Sequence, residues 1–455
     1  MSPIPLATLS WSETMAKEVR PMLRLGGPVV AAELAWMMMG LVDTLMVGRV
    51  SAVVMGAVGL GHALFFAVVV MGMGTLFSLD YYVSRAHGAG DHTASLRHLI
   101  QGCWLAVFMS PPLMLLLATT PAFLLWFGVT SDVVVETDAY LTGVVWSLPF
   151  MLLFTALRRY LQAVELVRPI MVVIIAANLV NLVSDWAMIF GHLGLPAMGA
   201  SGAGWATAIS RLFLASGLVF IIHRQRRIEA ITLPDGAWRP NLIEMATLVR
   251  LGLPAAGHLL LEVGMFSGAT ILVGLMDPLS LAAHQISMQI VSFTFMIPMG
   301  LSSAGAVRVG HGLGRGDVRG GVAAGWVTLA MGVGAMAVSS VLIALFRGPL
   351  TRAFTSDTEV LMIGGSLLLF AAAFQVFDAI QVVSAGILRG LGETKASMVA
   401  NLIGHWCVGL PVGAYLAFKR GWGVQGLWLG LCIGLVIVGI YLLTVWIRRT
   451  RRLLE

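Results

Sequence analysis

The stretch GGVAAGWVTLAMGVGAMAVSSVLIALF, residues 320–346, contains no charged residue. An α-helix needs roughly 20 apolar residues to cross the ~30 Å hydrocarbon layer of a bilayer, and this run exceeds that length. GLWLGLCIGLVIVGIYLLTVW, residues 426–446, repeats the pattern. Composition carries the reading to the rest of the chain: of 455 residues, 58% are hydrophobic and only 11% charged, and the mean hydropathy is +0.91. These values place the chain among polytopic helical membrane proteins. A membrane β-barrel would show ~10-residue segments of alternating polarity instead. The polar start, MSPIPLATLSWSETMAKEVRPMLRL, lacks the compact apolar region of a cleaved signal peptide.

Apolar runs between polar breaks give twelve spans, beginning near residues 25, 53, 99, 134, 168, 201, 247, 279, 322, 360, 396 and 424. With the N-terminus inside, most of the 28 Lys+Arg fall in cytoplasmic segments, which sets both termini in the cytoplasm of a cell (inner) membrane protein. The net charge of +6 is then a topology signal and no indication of nucleic-acid binding. Cys103, Cys407 and Cys432 each sit in an apolar run and form no CxxC, so they read as packing residues. The long polar connection that starts at His223 divides the chain into an N-terminal lobe at 1–222, a cytoplasmic linker at 223–246 and a C-terminal lobe at 247–455.

The halves resemble each other. LGGP at 25–28 recurs as LGLP at 251–254, and residues 25–91 align with 251–317 without a gap. At that offset Gly48 meets Gly274, Met73-Gly74 meets Met299-Gly300, and Gly88, Gly90 and Asp91 meet Gly314, Gly316 and Asp317. TSD at 130–132 matches TSD at 355–357 further along. With six spans per half this is a parallel duplication, two lobes related by an axis along the membrane normal. The expected fold is therefore all-α, with twelve transmembrane helices in two pseudo-symmetric six-helix lobes. Such bundles place their working sites near the midplane, which makes a transporter the leading class.

Ionisable groups inside the spans are few and can be weighed singly. Asp43 and Glu33 lie in span 1, Asp185 in span 5, Glu262 in span 7 and Asp378 in span 10. No span carries a basic residue at its middle to pair with them; Arg158, Arg159 and Arg308 lie at cytoplasmic ends, where snorkelling accounts for them. The interior is thus anionic, and a carboxylate in low dielectric binds either a proton or a cation. That exchange is the minimum chemistry of an antiporter. Against it stands a protonated, hydrogen-bonded acid that merely packs helices, the weaker reading for an intramembrane acid and weaker still for Glu262 with Asp378; Glu33 is the acid with the weakest claim to a functional role. His258 shares a helix face with Glu262 at i,i+4 and reads more readily as a core histidine than as a proton relay. His284 and Gln285 follow in span 8. Trp36, Phe374, Gln375 and several methionines lie near the acids in sequence, where π-faces and thioethers suit lipophilic cations. Asn181 precedes Asp185 by one turn. No HExxH, G-x-S-x-G or Walker A run is present, so hydrolytic or peptide-cleaving chemistry has no motif.

LVDTLMVGRVSAVVMGAVGLG, GHLGLPAMGASGAGWATAISR, the run from Glu262 to Asp317 and FQVFDAIQVVSAGILRGLGETK together resemble the multidrug and toxic compound extrusion (MATE) family, on its NorM-like side. The resemblance implies a V-shaped pair of lobes that exports organic cations against an inward flow of H+ or Na+, with no other cofactor and with the monomer as working unit. It implies Asp43 as the acid of the first helix, and Glu262 and Asp378 as coupling acids of the C-terminal lobe and a candidate Na+ site. Asp185 with Asn181 resembles the N-lobe acid pair of proton-coupled members. Phe374 stands where sodium-coupled relatives can present a tyrosine, and the missing hydroxyl favours H+. A lipid or lipid-linked oligosaccharide flippase of the same superfamily is the rival; its anionic cargo would call for arginines, where this chain offers acids. A passive channel has no use for the duplication.

Overall fold

The computed structural model describes residues 10–126, 128–228, 231–234 and 236–455. Residues 1–9 of the N-terminal run and residues 229, 230 and 235 of the linker lie outside the described residues. Among the described residues the chain is helical, and twelve helices are long and apolar enough to cross a membrane. They are α1 (Trp11–Val47), α2 (Val53–Gly88), α3 (His92–Leu124), α4 (Ser131–Ala163), α5 (Val167–Phe190), α6 (Gly199–Ile228), α7 (Leu242–Gly274), α8 (Pro278–Gly314), α9 (Val318–Arg352), α10 (Thr358–Gly390), α11 (Lys395–Lys419) and α12 (Gly423–Leu454).

Helix starts lie within several residues of the apolar runs, except in α1, which begins at Trp11 instead of near residue 25. Its extra turns carry Lys17, Glu18, Arg20 and Arg24, and a capping box starts them. The Ser10 N–H donates to Glu13 Oε2 (2.8 Å), and the Glu13 N–H donates to Ser10 Oγ (3.3 Å). Hydropathy marks where a helix enters lipid, whereas capping marks where it begins.

The duplication is repeated in the local chemistry. Ser51 caps α2 by accepting from the Val54 N–H (3.1 Å), and 226 residues later Asp277 caps α8 by accepting from the Ser280 N–H (2.7 Å). Asp91 accepts from the Ala94 N–H at the start of α3 and Asp317 from the Gly320 N–H at the start of α9, both at 2.8 Å.

The chain forms two compact units. The N-unit is Ala31–Ala256; the C-unit joins the described residues up to Val30 to Gly257–Glu455. Each unit thus includes the beginning of a helix from the other half of the sequence, and equivalent glycines admit it. In the N-unit a Cβ on Gly74 would lie 2.4 Å from the Ala256 Cα, and one on Gly252 would lie 1.9 Å from the Thr75 carbonyl oxygen. In the C-unit a Cβ on Gly300 would lie 2.8 Å from the Val30 Cα, and one on Gly26 would lie 3.0 Å from Leu301. Small residues allow such backbone approach in lipid, where hydrophobicity alone does not hold helices together. Equivalent acids anchor the same segments: Glu18 accepts from Arg308 (2.6 Å) in the C-unit, and Glu244 pairs with Arg97 in the N-unit.

The linker is tied down by side chains that satisfy its backbone. Gln101 Nε2 donates to the Arg239 carbonyl (3.0 Å), Gln101 Oε1 accepts from the Asn241 N–H (2.8 Å), and Trp104 Nε1 donates to the Trp238 carbonyl (2.8 Å). In the C-unit, α11 is π-helical over Leu402–Gly409 and again over Tyr415–Lys419. It presses against α12 so closely that a Cβ on Gly430 would lie 2.3 Å from the Gly413 backbone.

Candidate functional site

In the N-unit, α1 and α5 are pinned by Asn178, whose Nδ2 donates to the Ala35 carbonyl at 3.0 Å. Seven residues further along α5 and eight along α1 stand Asp185 and Asp43, so this register brings the two carboxyls level. They interact with one another, and Asp43 also interacts with Asn181, one turn before Asp185 on the same helix face. Asn181 and Asp185 are fully buried and Asp43 half-buried. Both Asp185 oxygens, one Asp43 oxygen and both Asn181 amide atoms are buried without a formed hydrogen bond. Buried polar atoms are ordinarily paired, and here five such atoms on three neighbouring side chains are not.

A buried cation stands within coulombic reach of Asp43. Arg211 on α6 is buried; its Nη1 donates to Ser147 Oγ (2.5 Å) and its guanidinium lies 4.2 Å from the Phe65 ring centroid. It lies ten residues into the span that begins near residue 201, so the expectation that no span carries a basic residue at its middle is corrected here.

The snorkelling account of Arg158, Arg159 and Arg308 is corrected by the structure; Arg308 is buried and donates to Glu18 (2.6 Å). Arg158 is buried and bonds Glu33, so that acid is fully engaged in an ion pair. Arg159 is buried as well, 3.4 Å from Asp80 and 3.7 Å from the Phe77 ring centroid. The pairing partners are too far apart in the chain for sequence spacing to reveal. Asp80, almost fully buried, escaped the reading of the spans because it follows the apolar run of α2.

In the C-unit, Glu262 on α7 is buried and Gln381 Nε2 donates to its Oε1 at 2.8 Å. Gln381 Oε1 then faces His405 Nε2 at 3.3 Å. With the amide thus oriented, the His405 Nε2 carries the hydrogen and its Nδ1 is left bare and unpartnered. Asp378, one turn before Gln381 on α10, is buried within coulombic reach of Glu262. His258 Nε2 lies 3.7 Å from Glu262 Oε2, beyond hydrogen-bond range. Gln381 and His405 were missed in the sequence. Gln381 shares a face with Asp378 at i,i+3, a signal that was available, whereas His405 is aimed by the π-helical run of α11, which no periodicity announces.

The remaining candidates lie apart from the acids. Phe374 packs in the apolar core with its ring 6.0 Å from that of Trp428. Gln375 Nε2 donates to Thr294 Oγ1 (2.9 Å), tying α10 to α8. His284 is fully buried between Trp428 Nε1, which donates to its Nδ1, and Thr270 Oγ1, both at 3.0 Å. Its two nitrogens are consumed by packing, and Gln285 beside it is exposed. Trp36 stacks on Phe154 at 5.5 Å. Among the cysteines Cys432 is buried and Cys103 half-buried, while Cys407 is exposed and does not fill a core position.

With this geometry in hand, the sequence model of MatE matches residues 28–187 and 254–415. A Mesorhizobium japonicum protein named probable multidrug resistance protein NorM is 36% identical over 459 aligned residues, 99% of this chain and 98% of the relative. The multidrug resistance protein NorM of Vibrio cholerae is 34% identical over 432 residues, 94% of each chain. Among solved structures, the Vibrio cholerae MATE transporter VcmN superposes with a TM-score of 0.85 at 18% identity, covering 97% of this chain and 98% of that one. The twelve membrane-length helices are accounted for by one shared fold.

Proposed function

The chain belongs to the MatE family, and on that premise we propose that it is a secondary active multidrug efflux transporter, exporting lipophilic organic cations in exchange for H+ by alternating access. It is a multi-pass membrane protein and a transporter, not an enzyme. In this reading two lobes, residues 1–222 and 247–455 joined by 223–246, work as a monomer in the inner membrane with both termini in the cytoplasm.

The observation that carries the reading is the carboxyl cluster of Asp43 and Asp185 with Asn181, in which both Asp185 oxygens and one Asp43 oxygen are buried without a formed hydrogen bond. Two carboxylates side by side out of water are tolerated only with a proton or a cation between them. A site that must hold one or the other can exchange them as it faces opposite sides of the membrane. Glu262 and Asp378 form a second acidic site, in the C-unit, with His258 beside it and Gln381 orienting it. The choice of H+ over Na+ rests on the resemblance, in which Phe374 stands where sodium-coupled relatives can present a tyrosine hydroxyl. Trp36, Gln285 and Gln375 remain proposed cavity residues.

The test is ethidium uptake into proteoliposomes. A vesicle interior more acidic than the bath should drive accumulation as protons leave, and an imposed Na+ gradient at equal pH should drive none. Accumulation under the Na+ gradient alone would transfer the coupling to Na+ at Glu262 and Asp378. No uptake of ethidium or other lipophilic cations under either gradient would overturn the reading.

A further inference from the structure

Away from the acids, the C-unit contains a cavity of about 380 Å³ between the start of α11 and the end of α12. Its α12 wall is Tyr441, Val445, Arg448, Arg449 and Arg452, spaced so that all five share one helix face. Lys395 and Val399, one turn apart, form the wall on α11. Glu393 is the one carboxylate in the lining, and it is taken by Arg449. Lys395, Arg448 and Arg452 are exposed to the cavity and make no ion pair among the described residues.

The polarity runs in order along the helix. Tyr441 and Val445 close the apolar span, and the arginines follow about 4–10 Å beyond Val445 at a 1.5 Å rise per residue. Ordinary enrichment of cations at a span end would scatter them around the helix. Here they converge on a hollow whose other half is apolar, the arrangement in which basic pockets between membrane helices take acidic lipid headgroups. A soluble anion would leave Val399, Tyr441 and Val445 without a role.

We propose that this cavity holds one anionic phospholipid, its phosphate between Lys395, Arg448 and Arg452 and its acyl chains over Val399, Tyr441 and Val445. The site is distinct from the carboxyl clusters and independent of the transport reading.

Native mass spectrometry of the full-length, delipidated protein tests it, with phosphatidylglycerol and phosphatidylcholine of identical acyl chains as probes. One phosphatidylglycerol should be retained at least tenfold over phosphatidylcholine. Arg448→Gln and Arg452→Gln should each lower retention about fivefold. Arg451→Gln, whose side chain bonds Glu455 instead (3.0 Å), should leave it unchanged. Val399→Trp, which fills the hollow without altering charge, should lower retention of the lipid. Equal retention of the two lipids would overturn the proposal, as would an equal loss in Arg451→Gln or full retention in Arg448→Gln/Arg452→Gln. Displacement by soluble glycerol phosphate at matching concentration would make it a free-phosphate site and would also overturn it.

Discussion

Glu33 and Asp43 occupy one helix ten residues apart, yet their surroundings give them different physics. Glu33 is bonded to Arg158, a residue 125 positions away in the chain, while Asp43 faces another carboxyl. Breaking a buried ion pair from one side leaves a bare charge, so Arg158→Ala should cost about 3–5 kcal/mol, whereas Arg158→Leu with Glu33→Leu should recover most of the loss. Thermal unfolding of purified protein followed by size-exclusion retention checks this, and an unaltered midpoint in Arg158→Ala would show that the pair contributes nothing. The candidate acids were legible in the sequence because charges are rare inside apolar runs. Their partners were not, because Arg158, Arg211, Gln381 and His405 reach them only through tertiary packing. The sequence therefore identifies that Asp43, Glu33 and Glu262 need partners and leaves open which of them find one.

Helices were legible to within a turn or two wherever lipid sets their limits, and less so where capping does, as the early start of α1 at Ser10 and Glu13 illustrates. Equivalent caps at Ser51 and Asp277 show that the duplication preserved the function of a position while its residue type changed. Asp277 lies between α7 and α8, and the Ser280 backbone N–H holds its carboxyl below the ordinary carboxylate range, with the Ser280 side chain adding to the effect. A group depressed in the folded state adds stability above its unfolded pKa, about 3.9, and loses it as pH falls through the lower folded value. Asp277→Ala should therefore cost about 1 kcal/mol at pH 7, with Asp277→Asn retaining most of the cap. Below about pH 4 the gap between wild type and Asp277→Ala should shrink. Thermal midpoints of the three proteins across that pH range decide it, and a gap that persists undiminished in acid would assign the stabilisation to something other than the ionised cap. The π-helical runs of α11 had no counterpart in the sequence reading, since a register shift of one residue leaves an apolar pattern intact.

At the scale of the molecule, each unit holds one acidic cluster, at positions the duplication does not relate (Asp43 meets Ala269, and Glu262 meets Trp36), and coupling can be separated from substrate binding by thermodynamics. With the membrane potential clamped at zero, a carrier exchanging one proton for one monovalent cation stops when the two gradients balance. One pH unit is worth about 1.4 kcal/mol per proton, or tenfold in concentration. Ethidium in proteoliposomes one pH unit more acidic inside should thus plateau near tenfold accumulation. A residue that only helps to bind ethidium changes the rate of approach and leaves the plateau where it was, since no binding site can shift a gradient equilibrium. A residue that carries the coupling proton changes the plateau itself. Asp43→Asn and Glu262→Gln should both lose accumulation, while ethidium exchange at equal concentrations on both sides persists in Asp43→Asn. A tenfold plateau reached slowly in either variant would reassign that acid from coupling to substrate binding. A wild-type plateau near a hundredfold would mean two protons per cation, which two acidic clusters in two units could supply together.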